Sequence, residues 1–114
     1  MKKIRSGMIC KQGDIVLVKF PFTTLSKSKK RPVLVVKSEN AYGDFVCFQI
    51  TSKSTQSHLY TLENTVFLEG SLPLSSYVKY NKCFTLSTEI VDKKLTSIKS
   101  STLEHIKKLF CDEM

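Results

Sequence analysis

Arg31, Thr51 and Ser52 are the residues whose types and surroundings suit a chemical step in this chain. Arg31 precedes Pro32, which pushes it into an extended conformation at the mouth of an apolar run, Val33-Leu34-Val35-Val36. Thr51 and Ser52 follow a second apolar run, Phe45 to Ile50. They open a segment, Thr51 to Ser57, that is rich in hydroxyls and free of acids. A guanidinium stays charged at any working pH, and its fork matches phosphate oxygens. A hydroxyl beside it can donate to a non-bridging oxygen. The two groups fit the cutting of RNA by in-line attack of its own 2′-hydroxyl on the adjacent phosphorus, where a doubly charged pentacoordinate state needs stabilising. That reaction also moves two protons, so a proton carrier has to come from elsewhere. His58, at the end of the hydroxyl-rich segment, is one candidate and equally reads as a solvated loop histidine. His105 reads as surface.

Other chemistries lack their residues. There is no GxSxG, no phosphate-binding loop, no dinucleotide glycine motif and no HExxH. Two histidines and scattered acids give poor support for a metal-dependent hydrolase. The four cysteines, Cys10, Cys47, Cys83 and Cys111, form no CxxC pair, so neither a metal site nor a cofactor is expected. Cys47 and Cys83 lie inside apolar runs and read as small core residues. No apolar leader and no run near the ~20 residues of a membrane span is present, so the expected compartment is the cytoplasm with reduced thiols.

The elements that must position Arg31 and Thr51 can be read in order. Residues 1–12 form a basic lead-in, and residues 13–114 are read as one domain. Gly13-Asp14 is a turn into a strand over Ile15 to Phe20, which Pro21 ends. A loop from Thr23 to Arg31 follows. It carries Lys27, Lys29, Lys30 and Arg31 without a single acid. Val33 to Lys37 and Phe45 to Ile50 flank a turn at Asn40-Ala41-Tyr42-Gly43 and predict an antiparallel hairpin. Further short strands are expected at Leu59 to Leu62, Thr65 to Leu68, Tyr77 to Tyr80, Cys83 to Leu86 and Leu95 to Ile98. Strands punctuated about every ten residues favour a small barrel. The last element is a helix, with a capping box expected between Ser101 and Glu104 and an apolar face of Leu103, Ile106, Leu109 and Phe110. That face reads as core or dimer contact.

Eighteen basic and ten acidic side chains leave a net charge of +8. An excess of that size points to nucleic acid, an anionic membrane or an acidic protein partner.

Three segments carry a family resemblance. They are GDIVLVKFPFTTLSKSKKRPVLVV from Gly13, the run Cys47-Phe48-Gln49-Ile50-Thr51-Ser52, and Ser76-Tyr77-Val78-Lys79-Tyr80-Asn81-Lys82-Cys83-Phe84-Thr85-Leu86. In order and spacing they resemble the MazF/PemK family of bacterial type II toxins. The resemblance implies a mainly β, SH3-like antiparallel barrel with a C-terminal helix, which dimerises. It implies metal-independent cutting of single-stranded RNA, leaving a 2′,3′-cyclic phosphate and a 5′-hydroxyl. It also implies a cognate antitoxin with an acidic, disordered tail. Carried over by position, Arg31 and Thr51 match the family's catalytic pair, with Ser52 adjacent. Some relatives place an arginine and an acid two residues apart in a later strand, where this chain has Lys79 and Asn81. Lysine keeps the charge and loses the fork, and asparagine cannot act as a base near neutral pH.

Arg31, Thr51, Ser52 and Lys79 are therefore the expected catalytic set. Lys27, Lys29, Lys30 and Lys53 are expected to contact RNA, with Asn81 beside them and with Phe22 and Tyr77 as stacking surfaces. The rival reading is a catalytically inactive SH3-like module that binds RNA or protein, and the Lys79/Asn81 pair is the feature that favours it.

Overall fold

The structure, a computed structural model, describes residues 10–20, 29–55, 57–69, 72 and 75–114. Seven strands and one helix follow in chain order: β1 (Asp14–Phe20), β2 (Lys29–Lys37), β3 (Asp44–Thr51), β4 (Leu59–Leu62), β5 (Phe67–Glu69), β6 (Ser76–Ser87), β7 (Val91–Ile98) and α1 (Ser100–Asp112). The strands form one antiparallel sheet in the order β4-β6-β3-β2-β1-β7-β5. Register shifts in the β1–β7, β2–β3, β3–β6 and β5–β7 ladders bend it into a curled half-barrel. This is the mainly β fold with a C-terminal helix that the sequence predicts.

Period-two alternation divides the strand residues between two cores. On one face Ile15, Leu34, Val36, Phe48, Ile50 and Val78 pack beneath Leu103 and Ile106 of α1. On the other, Cys10, Val16, Val18, Val33, Val35, Phe45 and Cys47 cluster with the half-buried Phe84 and Leu86. The helix thus covers one face only. Strands this apolar on both sides account for the unbroken runs in β1 and β2. Gly13 bridges β2 and β7, the two strands that flank β1. Its N–H donates to Val35 at 2.8 Å and its carbonyl accepts from Ile98 at 2.9 Å, at a φ of +96° that suits glycine.

The expected hairpin is present, with Asn40 at its turn accepting from the N–H groups of Tyr42 and Asp44. β4 has the expected limits. Several other expectations need correction. Lys29, Lys30 and Arg31 belong to β2 rather than to a loop, and they pair with Phe20, Lys19 and Val18. Pro32 is tolerated there because the ladder to β3 begins only at Val33. Thr65 and Val66 lie in a short 3₁₀ turn, Asn64–Val66, before β5. The two strands expected between Tyr77 and Leu86 are one strand, β6, interrupted by a bulge. Gln49 faces Lys79 and Phe48 faces Cys83, so Tyr80, Asn81 and Lys82 fall outside the register. Cys83 is exposed, not core, because Phe84 and Leu86 take the inward phase of the alternation. The helix starts one residue earlier than a Ser101 cap requires. Its N-cap is Lys99, with no side-chain cap, and Leu103 N–H donates to the Lys99 carbonyl at 3.0 Å.

Candidate active site

Strand register relates Arg31 to Thr51. The β2–β3 ladder begins where Val33 pairs with Gln49, and the same register continued two residues would set Arg31 opposite Thr51. Residues opposed in antiparallel strands share a face. Arg31 is also paired with Val18, and Thr51 with Tyr77. Arg31, Gln49, Thr51, Tyr77 and Lys79 therefore lie on the face that α1 leaves uncovered, at one end of the sheet. Arg31, Thr51 and Tyr77 are half-buried, whereas Ser52, Lys53 and Asn81 are exposed.

The local bonding suits anion contact. Thr51 Oγ1 accepts from the Lys53 N–H at 3.1 Å, which turns the chain after β3 and leaves the hydroxyl proton able to donate outward. Arg31 is paired with Val18 of β1, which holds its backbone more firmly than a loop would. Lys30 alternates to the opposite face of β2. Its Nζ lies 3.4 Å from Asp92 Oδ2 on β7, an exposed pair worth only ~0–1 kcal/mol. Structure thus separates Lys30 from Arg31, although the two are adjacent in sequence.

Lys79 is buried, at 9% exposure, and its Nζ donates to the Ser57 carbonyl at 3.0 Å. Asn81 Nδ2 lies 3.4 Å from His58 Nδ1. The His58 ring lies against the end of α1 and β6: its Nε2 is 3.1 Å from Glu113 Oε1, and it meets the edge of Tyr80 at 5.7 Å. His105 is exposed as expected, edge-on to Tyr60. Phe22 and Lys27 lie outside the described residues, as does the side chain of Lys29.

Sequence reasoning missed Gln49, Ser57 and Glu113. Gln49 could have been found by stepping back two residues from Thr51 in an alternating strand. Ser57 and Glu113 carry no local signal, because their partners are 22 and 55 residues away. Among the described residues, no cluster of three or more histidine, cysteine or acidic side chains could hold a metal ion. No described helix is long and apolar enough to cross a membrane.

Comparison with known proteins bears on this geometry. No curated protein sequence matches the chain. Among solved structures, MazF of Deinococcus radiodurans superposes with a TM-score of 0.68 at 18% identity, covering 92% of this chain and 96% of that one. The MazE–MazF complex of the same organism, in a third crystal form, gives 0.72 at 18% identity, with 90% and 94% covered. An endoribonuclease from a mycobacterial species, bound to its cognate antitoxin, gives 0.65 at 19% identity, with 90% and 91% covered. Likeness at these identities establishes the fold. A family model described as PemK-like, MazF-like toxin of type II toxin–antitoxin system matches residues 11–112, and the chain belongs to that family.

Proposed function

We propose that this toxin is a metal-independent endoribonuclease that cuts single-stranded RNA. The ribose 2′-oxygen attacks the adjacent phosphorus, and the bond to the 5′-oxygen breaks. One proton leaves the 2′-oxygen and one is gained by the departing 5′-oxygen. The products are a 2′,3′-cyclic phosphate and a 5′-hydroxyl. Arg31 offsets one of the two negative charges of the pentacoordinate phosphorus. Thr51 donates its hydroxyl proton to a non-bridging oxygen, with Ser52 beside it. Lys53 contacts the backbone, and Tyr77 offers a stacking surface. The observation that supports this reading is the β2–β3 register, which pairs Val33 with Gln49 and, continued two residues, would set Arg31 across from Thr51 at the end of the face that α1 does not cover. The mycobacterial structure named as an endoribonuclease has the same fold. A homodimer and an antitoxin with an acidic tail belong to the same proposal. The net charge of +8 suits both RNA and such a tail, and the antitoxin-bound relatives set a precedent.

Incubating purified wild type and Arg31→Ala with RNA plus a chelator, then mapping the ends, tests the proposal. Wild type should give cyclic phosphate ends, and loss of Arg31 should slow cleavage by ~10²–10³ or more. Equal cleavage by both proteins would remove Arg31 from the mechanism. Tight binding of RNA that stays intact would favour the inactive binding module.

A further inference from the structure

Lys79 and Asn81, the two positions where this chain departs from the arginine and acid of some relatives, are both engaged by the same stretch of backbone. That stretch is the far end of the Thr51–His58 connection. From the face that carries Thr51, Lys79 Nζ donates to the Ser57 carbonyl at 3.0 Å. One residue further, the His58 carbonyl accepts from the Tyr80 N–H at 3.1 Å. From the helix side, the His58 ring is held at three points. Its Nδ1 lies 3.0 Å from Ser57 Oγ and 3.4 Å from Asn81 Nδ2, and its Nε2 lies 3.1 Å from Glu113 Oε1. With Nδ1 accepting from the Asn81 amide, Nε2 would carry the ring proton towards the Glu113 carboxylate.

His58 has a φ of 59°, the only positive value outside glycine among the described residues. A side chain in that region is held against a local steric preference, so surrounding contacts have to fix it. Here those contacts come from β6 and the end of α1. The bulge in β6 makes them possible. It takes Tyr80, Asn81 and Lys82 out of register with β3 and so frees Asn81 to reach His58.

We propose that Lys79 and Asn81 are positioning residues: they clamp Ser57 and His58 so that the hydroxyl-bearing turn after Thr51 is preset before RNA arrives. This rests on the nuclease reading for its consequence, though the clamp itself does not. Lys79 spends its charge on a backbone carbonyl and does not grip phosphate. Asn81 needs no basicity, because its part is an amide N–H bond to a ring nitrogen. The departure from the arginine–acid pair then exchanges two reacting groups for two anchors of the neighbouring loop.

The test compares wild type with Lys79→Met, Lys79→Arg and Asn81→Ala, each in the full chain. Amide hydrogen exchange at residues 52–55, 57 and 58 is read first, without RNA. Lys79→Met should speed exchange there at least about tenfold while β1 and β2 stay protected. Lys79→Arg, which can still donate to the Ser57 carbonyl, should restore protection. Cleavage is read second. Lys79→Met and Asn81→Ala should lower kcat by about ten- to a hundredfold with KM little changed, since a displaced group costs rate more than binding. The salt dependence of RNA binding should keep its wild-type slope in Lys79→Met. A slope smaller by about one contact, with raised KM, would make Lys79 a phosphate ligand and overturn the proposal. Wild-type exchange in Lys79→Met would overturn it too. Asn81 is exposed, so Asn81→Ala keeps the test open should Lys79→Met fail to fold. If wild type cuts no RNA, the nuclease reading fails, and the exchange experiment still decides whether the clamp exists.

Discussion

Cys47 shows how burial at one residue sets a measurable property of the whole chain. Its side chain has no exposed surface, and burial pushes its thiol from the ordinary 9.0 up to about 12, with the nearby Cys83 and Cys10 adding to the shift. The folded state therefore keeps a proton that the unfolded chain begins to lose near pH 9. Below that pH the group has no effect on stability. Between about 9 and 12 each pH unit removes up to ~1.4 kcal/mol, so stability falls as pH rises. Cys47→Ala should be less stable at pH 8, because it opens a space in the core. It should also lose less stability than wild type between pH 9 and 11. Urea titrations of both proteins across that range measure the slopes, and parallel slopes would show that this thiol is not linked to unfolding. Burial at Cys47 was legible from its place in an apolar run. The exposure of Cys83 was not, because one step in the alternation decides it.

Among the elements, α1 separates propensity from packing. Ser100, Ser101 and Thr102 offer three similar start signals, and the spacing to Glu104 favours Ser101. Packing resolved the ambiguity differently: the helix begins at Ser100, buries Thr102 and Leu103, and inserts Ile106 into the core with no surface exposed. Ser101→Ala should therefore stay within ~0.5 kcal/mol of wild type, where a working cap would cost ~1 kcal/mol. Ile106→Ala should cost ~2–5 kcal/mol. Thermal melts of the two variants decide the matter, and a large loss from Ser101→Ala would restore the capping box. The same competition explains the strands. β4 and the β2–β3 hairpin could be read because their apolar runs and the Asn40–Gly43 turn are local. The bulge in β6 could not, since Tyr80-Asn81-Lys82 reads locally as a turn and becomes a bulge only once Phe48 and Gln49 choose partners. Arg31 and Thr51 were legible as residues beside strands. That the β2–β3 register, continued past Val33, would bring them together is a property of the ladder.

At the scale of the whole molecule, the placement of charge matters more than its total of +8. One sheet face is covered by α1, and the other carries Arg31 and Thr51 at its end. The exposed Lys53 stands two residues past Thr51, whereas the exposed Lys108 sits on the helix that covers the opposite face. If RNA lies across the end of the sheet that carries Arg31 and Thr51, the two lysines differ in what they neutralise. Each phosphate contact on single-stranded RNA contributes about −0.7 to the slope of log affinity against log salt. In an Arg31→Ala background, where the proposed mechanism slows cleavage, Lys53→Gln should make that slope shallower by about 0.7. Lys108→Gln removes the same formal charge and should leave the slope unchanged, because a charge beyond the Debye length of about 10 Å at 0.1 M salt is screened from the bound strand. Fluorescence anisotropy with a short labelled RNA, titrated at several salt concentrations, gives both slopes. Equal changes from the two variants would mean that the positive charge acts as an undirected cloud, and the Arg31 end of the sheet would lose its claim as the RNA-binding surface.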